Sequence, residues 1–135
     1  MVLQTENGKK YVDVGRSDLW FCLYSTVVVR LPHLQQNISS AVSFIKTGTC
    51  KSDMCWDTAR QINLIRDGLS ACPLSALVYD MNDTKKKAPW EGNISSVITS
   101  CGNFFTTADG KDLIFELTSL LCYAAVKKCN IVCKD

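Results

Sequence analysis

The chain has 135 residues, of which 47% are hydrophobic, and its 15 basic and 13 acidic side chains leave a formal net charge of +2. This length is typical of about one domain, and the apolar content suffices to bury a core. The basic residues are mostly dispersed, which argues against a nucleic-acid-binding protein, because such proteins carry a basic stripe or patch. No apolar run reaches the roughly 18 residues of a membrane span, so we expect no membrane-spanning helix.

The first half of the chain predicts helices after a polar start. Residues 1–16 show no regular pattern and are expected to form an irregular N-terminal arm. Ser17 is a favourable N-cap for a first helix that runs to Arg30, and Pro32 then kinks that helix or begins a new one. A second helix ends near Gly48, because apolar side chains before it follow at steps of three or four. They are Leu31, Leu34, Ile38, Ala41, Val42 and Ile45.

The second half predicts further helices around one long loop. Ser52 can cap a third helix, residues 80–92 form the clearest loop, and Asn93 can cap a fourth helix. A last helix follows the turn at residues 109–110. Almost no segment alternates with a period of two, so the predicted fold class is all-α. We expect four to six short helices, arranged as helical hairpins in a single domain over residues 17–135.

Eight cysteines are the strongest compositional signal. An even number at this density predicts up to four disulfides, which would staple the helical bundle and place the chain in an oxidising compartment, secreted or in an organelle lumen. Cys22 with Cys50 is the favoured pair, because a hairpin would turn at the proline between them. The alternative is a metal site, since Cys50-x4-Cys55 and Cys129-x3-Cys133 have spacings close to those of zinc ligands. The predicted disulfide cysteines are Cys22, Cys50, Cys55, Cys72, Cys101, Cys122, Cys129 and Cys133.

The tetrapeptide NISS occurs twice, at residues 37–40 and 93–96. Each copy contains the N-x-[ST] acceptor of N-glycosylation, as does the triplet that starts at Asn82. Asn82 is the best glycosylation candidate, because it lies in the predicted loop. Asn37 falls inside a predicted helix, and Asn93 has a separate role as a helix cap.

The cysteine spacing favours a repeated unit over chance as the source of the two NISS copies. The intervals Cys22–Cys50, Cys72–Cys101 and Cys101–Cys129 span 28 or 29 residues, and the first two contain one NISS each. Two helices of about twelve residues with a turn bring positions that far apart together. Such cysteine-bounded helical segments, with "ISS" followed by small and β-branched residues, resemble the cysteine-rich helical repeat proteins of dinoflagellate algae. The resemblance implies a secreted or lumenal interaction protein.

No residue pattern predicts catalysis or a cofactor, and disulfides are favoured over a metal site for the cysteines. His33 is the only histidine, and beside a proline at a helix start it is more typical of a surface residue than of a catalytic one. We therefore expect no enzyme. The predicted function is a structural or protein-interaction module: a secreted ligand, a surface component, or a lumenal subunit of a larger assembly.

The interaction candidates lie in the predicted loop. They are Lys85, Lys86 and Lys87, although three adjacent lysines are more typical of an ordinary solvated loop, and Trp90, which lies outside every predicted helix and could equally pack the loop onto the core. The alternative function is a carrier of a small apolar ligand such as a lipid, pigment or pheromone, held in an interhelical cavity. The residues expected to line that cavity are Phe104, Phe105, Phe115 and Leu121.

Overall fold

The computed structural model describes residues 1–88 and 94–134. Within those residues the chain forms four α-helices: α1 (Ser17–Arg30), α2 (Ser39–Thr47), α3 (Cys55–Ser70) and α4 (Leu113–Lys127). It also forms three strands: β1 (Val2–Thr5), β2 (Tyr11–Asp13) and β3 (Ile131–Lys134). Four short 3-10 turns, at Pro32–Asn37, Ser52–Met54, Leu74–Ala76 and Cys101–Asn103, connect or precede helices. The fold is therefore mostly helical, and the prediction of an all-α fold is correct only in part.

The N-terminal arm is a β-hairpin, and the prediction that residues 1–16 are irregular is wrong. The sheet is antiparallel throughout, in the order β2-β1-β3. Leu3 pairs with Val12 on one side and with Cys133 on the other. Leu3 and Thr5 are completely buried, as expected for alternate residues on one face of a strand. The strands were missed because an apolar–polar alternation over three or four residues is too short to recognise in the sequence. In addition, the outer strands β2 and β3 come from opposite ends of the chain.

The predicted helices of the first half form with small differences. The bounds of α1 match the prediction, although Arg16 and not Ser17 occupies the N-cap position. The predicted second helix is divided, because a 3-10 turn follows Pro32 and α2 begins only at Ser39. Gly48 ends α2 in the left-handed conformation, with φ +73°, as its position in the sequence predicts.

The predicted fourth helix does not form. Between residues 94 and 105 the only regular element is the turn Cys101–Asn103, and the predicted cap Asn93 lies outside the described residues. The Asn103 side chain accepts hydrogen bonds from the amides of Thr99 and Ser100, and the Ser100 hydroxyl accepts one from Gly102. These polar side chains satisfy the backbone locally, in competition with a helix. The two NISS copies therefore do not mark equivalent helical units.

Helices α3 and α4 pack side by side in antiparallel directions. The Ser52 amide, just before α3, donates to Asn130 beyond the end of α4, and Arg66 near the end of α3 pairs with Asp112 at the start of α4. The core lies between these helices, α1, α2 and the sheet. Its largest members include Leu3, Trp20, Phe44, Ile62, Leu69, Leu117 and Leu121. None of the helices in the described part of the chain is long and apolar enough to cross a membrane.

Candidate interaction surfaces

All eight cysteines are free thiols, so the structure contradicts the predicted disulfide staples. The favoured pair is not formed either: the Cys22 thiol is hydrogen-bonded to Thr26 and lies near Cys101, and burial raises the pKa of Cys22 to about 12. The described residues contain no group of three or more His, Cys, Asp or Glu side chains arranged to hold a metal ion.

Cys50 and Cys55 form a close thiol pair. Their Sγ atoms are 3.6 Å apart, and the Cys55 thiol donates toward Cys50. This hydrogen bond, together with a weaker contribution from Thr58, lowers the pKa of Cys50 to about 7 and raises that of Cys55. Cys50 is consequently the thiol with the greatest thiolate character that the structure indicates.

Two side chains of α1 anchor the start of the loop that carries the predicted lysines. The buried Thr26 hydroxyl accepts a hydrogen bond from the Val78 amide at 3.0 Å, and the Ser25 hydroxyl accepts one from the Met81 amide at 3.1 Å. The Tyr79 hydroxyl, between these two points, donates to Asp18 Oδ2 at 2.9 Å. These hydrogen bonds therefore fix the position of residues 78–81, from which the lysine loop begins.

Successive aspartate turns then present Lys85, Lys86 and Lys87. The Asp80 carboxylate accepts from the amide of Asn82, and the Asp83 carboxylate accepts from the amide of Lys85. Short side-chain-to-backbone bonds of this kind stabilise turns. The ammonium of Lys86 lies 4.0 Å from Asp80 Oδ2 and 5.7 Å from the centroid of the Tyr79 ring. The fourth interaction candidate, Trp90, lies outside the described residues.

The three lysines stand at the edge of a groove, which we call the basic groove. Its volume is about 800 Å³, and its wall comes from α1, residues 74–79 and the lysine loop. Its lining includes the apolar residues Val29, Leu74 and Leu77, which we call the floor, and the cationic residues Arg30, Lys85, Lys86 and Lys87, which we call the rim. Sequence reasoning identified the lysines but not the apolar surface beneath them.

Exposed or partly exposed apolar side chains also occur on α4 and at the start of α3, and we call this set the α3–α4 face: Met54, Trp56, Phe115, Cys122 and Val126. Phe115, Cys122 and Val126 are seven and four residues apart, which places them on one side of α4. Phe115 is 64% exposed, Val126 62% and Trp56 58%. Trp56 lies in the first turn of α3, and Met54 lies in the 3-10 turn just before it. Sequence reasoning missed this face, because apolar residues on a helix are usually assigned to the core.

The cavity expected for an apolar carrier is not assembled. Phe115 points to solvent, whereas Leu121 is completely buried. Phe104 and Phe105 pack edge to face, with ring centroids 5.0 Å apart. The aromatic and apolar side chains expected around a ligand are therefore divided between the core and the surface. His33 is exposed in the 3-10 turn that Pro32 begins.

The family model for Immunity protein 70 matches residues 5–133. The chain belongs to this family. No curated protein and no solved structure matches it. The resemblance to dinoflagellate cysteine-rich repeat proteins is therefore wrong, because the matched family is a bacterial immunity protein family that spans nearly the whole chain.

Membership of the Immunity protein 70 family also bears on the predicted function. The family implies that the chain binds a partner protein, in agreement with the predicted interaction module. The prediction of an oxidising compartment, secreted or lumenal, is wrong, given this family and the eight free thiols. Asn82 is exposed in its turn, but its glycosylation depended on that compartment.

Proposed function

We propose that this chain neutralises a protein toxin by binding to it, without catalysing a reaction. The match of residues 5–133 to an immunity protein family carries the proposal. An immunity protein of this kind acts by occupying a surface that the toxin needs. The described residues support that role with exposed apolar side chains on helices.

The α3–α4 face is the surface we assign to the toxin. Trp56, Phe115 and Val126 are each more than half exposed, although each is large and apolar. Exposed apolar patches mark binding sites, and tryptophan is among the residues that contribute most to binding energy at the centre of an interface. Because α3 and α4 are tied at both ends, by Ser52–Asn130 and by Arg66–Asp112, little ordering entropy is lost when a partner binds.

Co-expression tests this proposal. Toxins encoded in the source genome, beginning with those beside the gene for this chain, are induced in a susceptible host with or without the chain, and colonies are counted. We expect the wild-type chain to restore growth and Trp56→Ala with Phe115→Ala to fail. The purified double variant should bind the same toxin at least about tenfold more weakly than the wild-type chain does. This is the loss expected for an interface hot spot.

Val97→Ala is the matched control, because Val97 is also an exposed apolar residue, at 76%, but belongs to the 94–100 segment and not to α3 or α4. It should restore growth as the wild type does. Circular dichroism and thermal unfolding of all variants check that they are folded. If no toxin from the source genome is neutralised by the wild-type chain, the proposed function is wrong.

A further inference from the structure

We infer that the basic groove binds an acidic segment of a partner protein through carboxylates on its rim and an apolar side chain on its floor. The inference rests on the proposed function, since the partner is the toxin, and it assigns a second contact surface separate from the α3–α4 face. The groove is lined by both cationic and apolar side chains, so we expect the partner to contribute both carboxylates and an apolar side chain.

The charge of the rim is largely uncompensated. Among the described residues, Lys85 and Lys87 have no ion-pair partner, and Lys86 faces Asp80 only at 4.0 Å. Arg30 donates through Nε to the carbonyl of Ala76 at 2.8 Å, which fixes the position of its guanidinium without neutralising the charge. Four cations on one rim therefore create a positive potential that an acidic segment complements.

The apolar floor distinguishes a peptide from other polyanions. Val29 is 37% exposed although it belongs to α1, and Leu74 and Leu77 are only partly buried where they line the groove. Phosphate backbones would use the lysines but would leave this apolar surface in contact with water. Single-stranded nucleic acids also need open aromatic rings for stacking, and the Tyr79 ring is approached by the Lys86 ammonium. A segment that alternates carboxylates with leucine or phenylalanine fits both features.

The positive charge of the rim argues against neutralisation by direct blocking of a nucleic-acid-binding cleft. A toxin that cleaves nucleic acid needs a basic cleft for its polyanionic substrate, and the lysine rim would be repelled by such a cleft. The groove therefore suits an acidic surface of the toxin, outside any nucleic-acid-binding cleft.

Fluorescence anisotropy with defined probes tests the inference on the full chain. The first probe is a fluorescein-labelled peptide of about twelve residues, with four glutamates flanking a Leu-Phe pair. The second probe has serines in place of Leu-Phe, and the third is a single-stranded oligonucleotide of the same net charge. We expect the first probe to bind most tightly, with an affinity that falls as salt is raised from about 50 to 200 mM because exposed charges are screened.

Three variants locate the binding site. Lys85→Glu with Lys87→Glu reverses the rim and should weaken the first probe by at least about tenfold. Val29→Asn makes the floor polar without adding charge and should weaken the first probe but not the second. Lys46→Glu with Lys51→Glu is the matched control, since both residues are exposed and the change in net charge is the same. It should leave the affinity nearly unchanged.

The inference is overturned if the oligonucleotide or the serine probe binds as tightly as the first probe, if the first probe does not bind, or if both lysine pairs weaken it equally. These outcomes are separate from failure of the proposed function. Neutralisation that depends on Trp56 while no peptide binds would overturn only the groove. Peptide binding by a chain that neutralises no toxin would overturn only the toxin as the partner.

Discussion

The hydroxyl of Thr26 lies 3.0 Å from the amide nitrogen of Val78 and accepts its hydrogen bond, across 52 positions of sequence. The same hydroxyl donates to the carbonyl of Cys22 one helical turn earlier, at 2.8 Å. Thr26 is completely buried. One side chain thus joins the interior of α1 to the start of the loop that presents the lysines of the basic groove.

We expect Thr26→Val to destabilise the protein by about 1–3 kcal/mol, because it leaves the buried Val78 amide without an acceptor. Valine has nearly the same shape as threonine, so packing changes little. Chemical denaturation measures the loss, and hydrogen exchange should show faster exchange of the Val78 amide. Thr26→Ser keeps the hydroxyl and should retain that protection. Equal exchange rates in both variants would contradict the assigned hydrogen bond.

Gly48 supports a second prediction, since it combines a left-handed backbone with a crowded site. A Cβ atom added there would lie 3.0 Å from both the Cys133 Cβ and the Leu3 Cδ2. Gly48→Ala should therefore lower the free energy of unfolding by more than the roughly 1–2 kcal/mol of a left-handed residue alone. Gly8→Ala is the control, because Gly8 has φ +71° and open space around it. Equal losses from the two substitutions would show that crowding at Gly48 is unimportant.

The thiol pair predicts a pH dependence of reactivity. Cys50 has a pKa of about 7, lowered mainly by the hydrogen bond from Cys55, so its alkylation by iodoacetamide should reach half its maximal rate near pH 7. Cys55→Ala should move this midpoint toward the ordinary value of 9.0. Peptide mapping follows each site, and the buried Cys22 should remain unmodified. A midpoint unchanged by Cys55→Ala would contradict the proposed donor.

The direction of the associated change in stability follows from the lowered pKa. The unfolded chain holds the Cys50 proton up to a higher pH than the folded chain does. The thiolate therefore contributes stability that is fully present above the unfolded pKa and is lost as pH falls through about 7. Cys55→Ala should remove this dependence, and denaturation curves recorded at several pH values measure it.

The helices were predictable wherever a single segment contained its own signals. The apolar spacing and terminal residues identified α1, and Gly48 marked the end of α2. The strands were not predictable, because β1 acquires its partner β3 only when the two ends of the chain meet. The false helix after residue 93 shows the reverse error: its apolar spacing was helical, but Asn103 and Ser100 satisfy nearby amides and favour a turn.

The interaction surfaces were predictable only in part, for a related reason. Lys85 to Lys87 are adjacent in sequence, so their charge was visible, whereas the floor of the groove comes from α1 and residues 74–79. The cysteine count misled the assignment of compartment, because density alone does not show whether thiols approach bonding distance. The Sγ atoms of Cys50 and Cys55, for example, are 3.6 Å apart, too far for a disulfide bond.

Asp112 combines two roles that a set of variants can separate. Its Oδ1 accepts a hydrogen bond from the Phe115 amide at 3.1 Å, which caps α4, and its carboxylate pairs with Arg66 at 3.3 Å. The pair is partly exposed, with side-chain exposures of 31% for Arg66 and 40% for Asp112, so we expect only about 0.2–1 kcal/mol from it. Loss of the cap costs about 0.5–2 kcal/mol.

Asp112→Asn keeps an acceptor for the Phe115 amide and loses the charge, so its free energy of unfolding should resemble that of Arg66→Ala. Asp112→Ala loses both interactions and should be the least stable of the three. A double-mutant cycle between Asp112→Asn and Arg66→Ala isolates the ion pair, and its coupling energy should fall when salt is added. If Asp112→Asn destabilises as much as Asp112→Ala, the charge and not the cap holds the start of α4. The tie between α3 and α4 beneath the α3–α4 face would then be mainly electrostatic.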